Sequence, residues 1–240
     1  MGGFTGYALL DSGNGRKLER FGDIVVDRPE PQALWQPARD DLWKSAHAIF
    51  AAEDEDEKGR WKQLKPVPET WDVPVEGATV KARLMAFRHL GLFPEQLPHW
   101  RWMREGLAAV SGETPRVLNL FGYTGAASLI AAAAGAEVVH IDASKKAIGW
   151  ARENQTASKL DKAVIRWTAE DARKFVAREV RRGRTYHCIL VDPPKYGRGT
   201  DGEVWDLCTD LQALMVDCEK LLAPKQSRLV LTAYAIRASA

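Results

Sequence analysis

The sequence predicts an α/β fold with a doubly wound, mainly parallel sheet, preceded by a small N-terminal α+β appendage. From about residue 115, apolar runs typical of buried strands alternate with helical segments. Such alternation indicates right-handed crossovers in a parallel sheet that is covered on both faces. Before about residue 85 the runs are shorter and are joined by Gly and Asn turns, which is typical of antiparallel strands. We therefore expect residues 1–85 to form the appendage and residues 86–240 to form the main domain.

The appendage is predicted to contain strands and one helix. Residues 7–26 favour antiparallel strands joined by a Gly/Asn turn. Residues 38–52 (ARDDLWKSAHAIFAA) carry apolar residues at helical spacing and predict one amphipathic helix. Its inward-facing residues would be Leu42, Ala46, Ile49 and Phe50. The acidic run at residues 53–57 is expected to be solvated, and residues 61–77, which are broken by prolines, favour short edge strands.

The main domain is predicted to open with a helix at residues 96–110, followed by five strands with helices between them. The apolar face of that first helix would consist of Trp100, Met103, Leu107 and Val110. The predicted strands are residues 116–120, 137–142, 163–171, 187–192 and 228–234. The predicted connecting helices are residues 126–136, 144–160, 170–183 and a long one from about Trp205. Ser144 is expected to cap the second of these helices.

Composition narrows the class of protein. The formal net charge of the 240 residues is only +2, so charge alone does not demand a nucleic-acid partner. The three cysteines form no C-x-x-C pair, which argues against a zinc ribbon or a disulfide framework and favours a reducing compartment. The histidines show no metal-ligand spacing, and no apolar stretch has membrane length. We expect a soluble, cytoplasmic protein without a bound metal.

Polar residues follow the predicted strands where each strand ends. The four endings are FGYTG at residues 121–125, Asp142, Glu170–Asp171 and DPPKYG at residues 192–197. In an open parallel sheet, ligands bind outside the carboxyl ends of the strands, where the strand order switches. An acid after the second strand can accept hydrogen bonds from both hydroxyls of a ribose, and one after the third from an adenine amine. The endings therefore predict a site for an adenosine-containing cofactor, and NAD is one candidate.

Two features weigh against NAD and a dehydrogenase activity. The turn reads G-Y-T-G and lacks the G-x-G-x-x-G pattern that cradles a pyrophosphate. A sulfonium cofactor carries no phosphates and needs no such cradle. The DPPK segment has no evident role in hydride transfer, whereas its prolines would stiffen a loop that holds a planar substrate beside a methyl donor.

FGYTG, Asp142, Asp171 and DPPKYG, taken in this order, resemble the class I S-adenosylmethionine-dependent methyltransferases. The chain is most similar to the group related to the bacterial 23S ribosomal RNA large-subunit methyltransferases, which carry a similar F-x-Y-T-G turn and a DPP motif. LLDSGNGRKLERFG and HLGLFPEQ, further upstream, also resemble that group. The resemblance implies a Rossmann-like class I methyltransferase fold, S-adenosylmethionine as cofactor, and RNA, in particular ribosomal RNA, as the acceptor.

The resemblance also implies roles for individual residues. The turn that would wrap the methionine part of the cofactor consists of Phe121, Gly122, Tyr123, Thr124 and Gly125. Around the adenosine, Asp142 would hold the ribose hydroxyls, Ala143 would lie beside the adenine, and Asp171 and Ala172 would meet its amine and ring edge. Ser144 would also be a cofactor-binding residue. Phe93 would close over the cofactor. The residues facing the methyl group and the acceptor would be Asp192, Pro193, Pro194, Lys195 and Tyr196, with Tyr196 stacking on a base.

Two departures from the family pattern bear on the reaction. Relatives that make 5-methylcytosine carry a cysteine just after the fifth strand, whereas this chain reads LTAYAIRAS there. Methylation of a pyrimidine carbon needs such a nucleophile, so the sequence favours a nitrogen acceptor, or an acceptor other than RNA, over carbon. Family members also finish the sheet with two further strands, whereas this sequence stops at Ala240. We expect the chain to be a piece of a longer protein, because an exposed apolar sheet edge is a liability.

Simpler interpretations remain beside these. Asp142 and Asp171 could each be a helix cap, and the protein could be a non-catalytic RNA-binding protein that retains the pocket. One cluster of cations resembles an RNA-facing patch, although we expect a solvated helix face. It comprises Arg173, Lys174, Arg178, Arg181, Arg182 and Arg184.

Overall fold

The computed structural model describes residues 6–52 and 58–233. The chain divides after Glu95 into two compact units. The acidic run at residues 53–57, expected to be solvated, and the predicted strand residue Tyr234 lie outside the described residues. The predicted boundary between the appendage (residues 1–85) and the main domain (residues 86–240) stays a prediction.

The described residues of the first unit form one mixed five-stranded sheet, one antiparallel hairpin and one short α-helix. Its elements are β1 (Tyr7–Gly13), β2 (Arg16–Phe21), β3 (Ile24–Pro29), α1 (Asp40–Trp43), β4 (Ala48–Ala52), β5 (Gly59–Gln63), β6 (Trp71–Val75) and β7 (Ala78–Ala82). The first five strands form one sheet in chain order, in which only β3 and β4 pair in parallel, and β6 pairs with β7 as a separate hairpin. Asn14 and Gly15 connect β1 and β2 with φ values of 51° and 72°. Positive φ at both turn residues suits the right-handed twist of a hairpin, so the predicted Gly/Asn turn is confirmed.

The prediction of one helix over residues 38–52 is wrong. Only Asp40–Trp43 is helical, and Ala48–Ala52 is the strand β4 between β3 and β5. His47 ties the start of β4 to β3, because its backbone N–H donates to the Val25 carbonyl and its ring Nδ1 accepts from the Val25 N–H at 3.1 Å. Pairing on both sides overrides the helical spacing of the apolar residues.

The second unit is the predicted doubly wound α/β domain. Its elements are α2 (Leu97–Ala109), β8 (Arg116–Leu120), α3 (Ala126–Ala133), β9 (Glu137–Asp142), α4 (Lys145–Ala157), β10 (Ile165–Ala169), α5 (Ala172–Arg181), β11 (Cys188–Val191), β12 (Tyr196–Arg198), β13 (Val204–Asp206), α6 (Leu207–Lys220) and β14 (Arg228–Leu231). Five strands form a wholly parallel sheet in the order β10-β9-β8-β11-β14. The chain therefore runs outward from β8 in one direction and then returns to β11 on its other side, which makes the β8–β11 pair the switch point.

The helical predictions for this unit are confirmed, with shorter bounds. On α2, Trp100, Met103 and Leu107 are buried as expected, and Val110 lies just past the last helical residue. On α5, Phe175 is fully buried against the sheet together with residues of α6. The hairpin β12–β13 was not predicted, because its three-residue strands are too short to give a periodic pattern.

A search of the described residues for a helix that is long and apolar enough to cross a membrane finds none.

Candidate functional site

The ends of four strands meet at one edge of the second unit's sheet. Strand pairing aligns Leu120 with both Ile141 and Val191, and it aligns Asp142 with Ala169. The pairing continues one step further, because the Gly122 N–H donates to the Ile141 carbonyl at 3.0 Å and the Thr232 N–H to the Val191 carbonyl at 2.9 Å. The predicted endings therefore emerge along a common edge, which we call the rim: residues 121–125, 142–144, 170–172 and 192–196.

The FGYTG turn follows β8 in an uncommon backbone conformation. Phe121, Tyr123 and Gly125 all have positive φ, at 56°, 50° and 81°. Such values are costly for side chains with a Cβ atom and persist only where neighbours hold them. Here the side-chain amide of the buried Asn154 on α4 donates to the Thr124 carbonyl at 2.9 Å, and the Tyr123 N–H donates to Asp142 Oδ2 at 2.8 Å. The surrounding structure thus holds the turn in place.

Both glycines of the turn are needed for close packing. A Cβ atom at Gly122 would overlap the ring of His140 and approach Asn119 Nδ2. A Cβ atom at Gly125 would lie 2.9 Å from the Ala151 Cβ and 3.0 Å from the Trp167 ring. The turn therefore rests directly on the layer beneath it, as the role of glycine in close approach predicts.

A buried polar cluster forms that layer. Ser128 Oγ accepts from Asn119 Nδ2 at 2.9 Å and lies 3.0 Å from His140 Nδ1. Burial lowers the pKa of His140 to about 3, so the ring is neutral at physiological pH. Its Nε2 has no hydrogen-bond partner among the described residues, and the Trp167 ring packs edge-on at 4.6 Å. The layer beneath the turn is thus uncharged and tightly packed.

Asp142 ends β9 with both carboxylate oxygens bound to backbone groups. Oδ2 accepts from the Tyr123 N–H and Oδ1 from the Ser144 N–H, each at 2.8 Å. Burial raises the pKa of this carboxyl above its usual range, although the two N–H groups oppose that shift. A carboxylate has about four acceptor positions, so Asp142 retains capacity for two further donors, as a ribose diol would supply.

Ser144 caps α4, as predicted, by accepting from the Ala147 N–H at 3.1 Å. Its hydroxyl therefore has a structural task, and a contact of Ser144 with a cofactor stays a prediction. Ala143 lies between Asp142 and this cap and is half-buried.

Asp171 is the N-cap of α5. Its Oδ1 accepts from the Arg173 N–H at 2.9 Å and the Lys174 N–H at 3.2 Å, and its Oδ2 accepts from the Arg173 guanidinium at 2.8 Å. Burial would raise the pKa of Asp171, but these donors outweigh it and hold the pKa below its usual range. The helix-cap interpretation is confirmed, while the predicted adenine contact of Asp171 and its neighbour Ala172 stays untested. Few acceptor positions remain on this carboxylate.

The DPPK segment follows β11, and two hydrogen bonds from the start of α6 and the strand before it hold its backbone. Trp205 Nε1 donates to the Pro194 carbonyl at 2.7 Å, and the Leu207 N–H donates to the Lys195 carbonyl at 3.0 Å. The buried Trp205 ring also contacts the Phe121 ring, with centroids 4.9 Å apart. This contact links the two motifs physically. Pro193 is buried beneath the loop, and Tyr196 is 56% exposed at the start of β12.

Gln96 was not predicted as a site residue, yet it holds Asp192. The buried Gln96 side chain donates from Nε2 to Asp192 Oδ2 at 3.4 Å. Its Oε1 accepts from Thr232 Oγ1 at 3.0 Å and lies 2.7 Å from His99 Nδ1. The signal was present in the HLGLFPEQ stretch, which ends at Gln96, but nothing in that stretch indicates which strand end the amide reaches.

Phe93 and the three cysteines are not part of the rim. Phe93 lies in the first unit, with its ring 5.6 Å from that of His89, and its closure over a cofactor stays a prediction. Cys188 and Cys218 are buried, and burial raises the pKa of each thiol to about 12. Cys208 is exposed on the first turn of α6.

Comparisons with known proteins agree with this geometry. The model of the family described as S-adenosylmethionine-dependent methyltransferase matches residues 45–236. A crystal structure of an S-adenosylmethionine-dependent methyltransferase from Agrobacterium tumefaciens is 54% identical, with a TM-score of 0.91, and the match covers 98% of this chain and 74% of that one. These matches support a methyltransferase over the NAD-dependent alternative.

Two curated relatives are named as ribosomal RNA methyltransferases. Ribosomal RNA large subunit methyltransferase I of Tolumonas auensis is 39% identical over 82 residues, which is 34% of this chain and 21% of the relative. Ribosomal RNA large subunit methyltransferase K/L of Shewanella frigidimarina is 34% identical over 150 residues, which is 62% of this chain and 20% of the relative. The chain spans about a fifth of the length of each of these relatives.

The packing beneath the turn predicts opposite effects for two Gly→Ala substitutions. Gly122→Ala should lower the free energy of unfolding by about 1–3 kcal/mol, because its Cβ atom meets the buried His140 ring. Gly149→Ala, on α4 with no atom within 4 Å of the added Cβ, should raise that free energy by about 0.5–1 kcal/mol. Urea unfolding monitored by far-UV circular dichroism measures both. Equal effects of the two substitutions would show that the turn does not rest on His140.

Proposed function

The chain belongs to the S-adenosylmethionine-dependent methyltransferase family, and we propose that it transfers the methyl group of S-adenosylmethionine to RNA, with ribosomal RNA as the acceptor. The observation that carries the proposal is the rim itself. The FGYTG turn, the Asp142 carboxylate and the DPPK segment emerge side by side from paired strands. This arrangement suits one ligand that extends from a ribose at Asp142 to a reacting centre near Asp192.

The residues of the rim fit a cofactor without phosphates. The turn offers a tightly held backbone rather than the glycine-rich cradle that binds a pyrophosphate. Phe121 to Gly125 would hold the methionine part and Asp142 the ribose hydroxyls, while Ala143, Ser144, Asp171 and Ala172 would surround the adenine. Phe93 would cover it. When bound, the cofactor supplies an electrophilic methyl group on a sulfonium.

On the acceptor side, the chain mainly orients and aligns. Pro193 and Pro194 restrict the loop, and Tyr196, with its exposed ring, would stack on an unpaired base. The remaining rim residue Lys195 is exposed beside it. Asp192 would orient the acceptor nitrogen and take its proton late in the transfer. Gln96 would fix the rotamer of Asp192, because the Gln96 amide is itself held by Thr232 and His99.

The cysteines favour nitrogen over carbon as the acceptor atom. Attack on a pyrimidine ring needs a thiolate, and the raised pKa values of about 12 keep Cys188 and Cys218 protonated. Both are also buried. The exposed Cys208 has its place on α6 rather than after β14, where the carbon-methylating relatives carry their nucleophile.

The RNA acceptor follows from the printed names of the relatives, which refer to ribosomal RNA of the large subunit. A cytoplasmic location accords with such an acceptor. The direct test is incubation of the chain with tritiated S-adenosylmethionine and separated ribosomal RNA, transfer RNA, protein and small molecules. Label in the ribosomal RNA fraction is the expected result. Label confined to protein or small molecules would refute the RNA acceptor.

Cofactor affinity should depend on pH through Asp142. Its carboxylate must be ionised to accept two ribose hydroxyls, and burial raises its pKa. Affinity for S-adenosylhomocysteine should therefore fall as the pH is lowered, beginning at a higher pH than an ordinary aspartate would require. Asp142→Asn should weaken binding about 10–100-fold, because the asparagine NH₂ group would face one of the two backbone N–H groups that the carboxylate now accepts from. The pH dependence should disappear as well, since the asparagine side chain does not titrate.

Isothermal titration calorimetry between pH 4.5 and 8 provides the measurement for Asp142, with Asp217→Asn on the surface of α6 as the control that should leave affinity unchanged. A wild-type pH profile identical to that of Asp142→Asn would contradict the assignment of the ribose to this carboxylate.

Turnover should depend on Asp192 and, to a smaller extent, on Gln96. Asp192→Asn should lower kcat about 100-fold, since proton transfer and orientation at the acceptor are both impaired. Gln96→Leu, which removes the bond to Asp192 Oδ2, should lower kcat about tenfold through misorientation. Affinity for S-adenosylhomocysteine should change less than about twofold in either variant. If Asp192→Asn lost cofactor binding but kept the wild-type kcat, Asp192 would serve the cofactor rather than the acceptor, which contradicts the proposal.

The acceptor atom is identified by mass spectrometry of nucleosides from the methylated RNA. We expect an N-methylated nucleoside, and Cys208→Ser should retain full activity because no thiol is required. A 5-methylpyrimidine, together with loss of activity in Cys208→Ser, would show that carbon is methylated after all.

A further inference from the structure

A cavity of about 250 Å³ lies at the opposite edge of the sheet, where the parallel strands begin. Arg116, Glu137 and Arg166 line it from the starts of β8, β9 and β10, and Arg182 and Arg184 line it from the region where α5 ends. Because parallel strands point the same way, this edge is separated from the rim by the full length of the strands. The cavity is therefore distinct from the methyl-transfer site.

The cavity is lined by both apolar and charged side chains. Val138, Val139 and Val164 are apolar lining residues, and Val164 is 63% exposed. Four arginines and two glutamates line the same space, so positive charge is in excess. An open, cationic cavity with apolar lining residues suits an anion attached to a less polar body, such as a phosphate on a sugar.

Three of the arginines have no counter-ion among the residues that the structure describes. Within the described residues, no carboxylate lies within salt-bridge distance of Arg116, Arg166 or Arg184. Arg116 donates from Nη2 to Thr185 Oγ1 at 3.1 Å, but its Nε is shielded from solvent and has no hydrogen-bond partner there. A shielded guanidinium N–H without an acceptor is costly, so the described residues do not fully satisfy the Arg116 guanidinium.

The cations on the first turns of α5 behave differently. Arg173 pairs with Asp171 and Asp210, each within 2.9 Å. Lys174 pairs with Glu203, and Arg178 with Glu170. Arg182 also pairs with Glu179. Within the described residues, the members of the cluster that resembled an RNA-facing patch without an ion pair are Arg181 and Arg184, and of these two Arg184 lines the cavity.

The acidic residues of the cavity do not cancel this charge. Glu179 is buried in the wall, where Oε1 accepts from Arg182 at 3.1 Å and Oε2 from the Tyr186 hydroxyl at 2.8 Å. Burial, together with this carboxylate, raises the pKa of Tyr186 and keeps its hydroxyl a donor. Glu179 is thus occupied, and Glu137 stands exposed on the edge of the cavity.

We propose that this cavity binds a phosphate group, with the backbone of the RNA substrate as its source. The guanidinium groups of Arg116, Arg166 and Arg184 would bind the phosphate oxygens, since arginine matches phosphate geometry with paired donors. Contacts to phosphates position a nucleic acid without reading its sequence. The cavity would therefore anchor the RNA away from the methylated base. The choice of RNA as source rests on the proposed function, whereas the phosphate chemistry does not.

The test measures RNA binding as a function of salt concentration. Fluorescence anisotropy of a fluorescein-labelled, mixed-sequence single-stranded RNA would be recorded for the wild type, the Arg166→Gln/Arg184→Gln double variant and Arg181→Gln. Arg181 is the last residue of α5 and does not line the cavity, so Arg181→Gln controls for the loss of one positive charge close to it. Calorimetry with S-adenosylhomocysteine verifies that each variant retains its fold.

The double variant should bind RNA at least about tenfold more weakly. Its slope of log affinity against log salt should be shallower by about 0.7–1.4, corresponding to one or two lost phosphate contacts. Arg181→Gln should match the wild type. Equal effects of the double variant and Arg181→Gln, or no effect of either, would overturn the proposal.

A second arm separates the source of the phosphate. Adenosine 5′-monophosphate is titrated while the arginine Nε–Hε signals are followed by NMR. One outcome is that the wild type binds no RNA, while the nucleotide shifts the Arg116 signal in the wild type and not in the double variant. The cavity then binds a free nucleotide, and the proposal of an RNA acceptor fails. If the nucleotide does not shift that signal and the wild type binds no RNA, the proposal of a phosphate site is wrong.

Discussion

Parallel pairing of β8 with β9 on one side and β11 on the other is the constraint on which the rest of the structure depends. It aligns Leu120 with Ile141 and with Val191, so that three loops far apart in the sequence emerge together. From β8 the chain continues to β9 and β10 on one side of the sheet and then to β11 and β14 on the other. The loops that follow β8 and β11 therefore lead in opposite directions, which leaves a crevice between them. Backbone pairing therefore brings the FGYTG turn, Asp142 and Asp192 to the same edge of the sheet. The side chains add chemistry to a position that the sheet has already defined.

Buried neighbours then give that position its rigidity. The turn has three residues of positive φ and rests on a neutral histidine, while Asn154 and Asp142 bind its backbone. Asp192 is held from the other side by Gln96. Pre-organised groups of this kind lose little freedom when a ligand binds, which is the main demand of a reaction that needs alignment rather than covalent catalysis. Asp142 and Asp171 also differ, since burial raises the pKa of the first and cationic partners lower that of the second.

Local patterns in the sequence predicted the second unit well because its elements are long and periodic. The strand ends, the Ser144 cap and the order of helices all follow from local residues. Where pairing with distant strands decides the outcome, prediction failed: residues 48–52 became a strand because β3 and β5 flank them. Gln96 was missed for a related reason. Its partner Asp192 lies 96 residues away in the sequence, and no spacing rule connects the two residues.

The central claim is that one cofactor lies along the rim with its ribose at Asp142. A crystal structure of the chain with S-adenosylhomocysteine tests it most directly. The account predicts both ribose hydroxyls within hydrogen-bond distance of the Asp142 carboxylate, with the sulfur between the FGYTG turn and Asp192. Adenosine bound anywhere else on the second unit, or a ribose that does not contact Asp142, would contradict it.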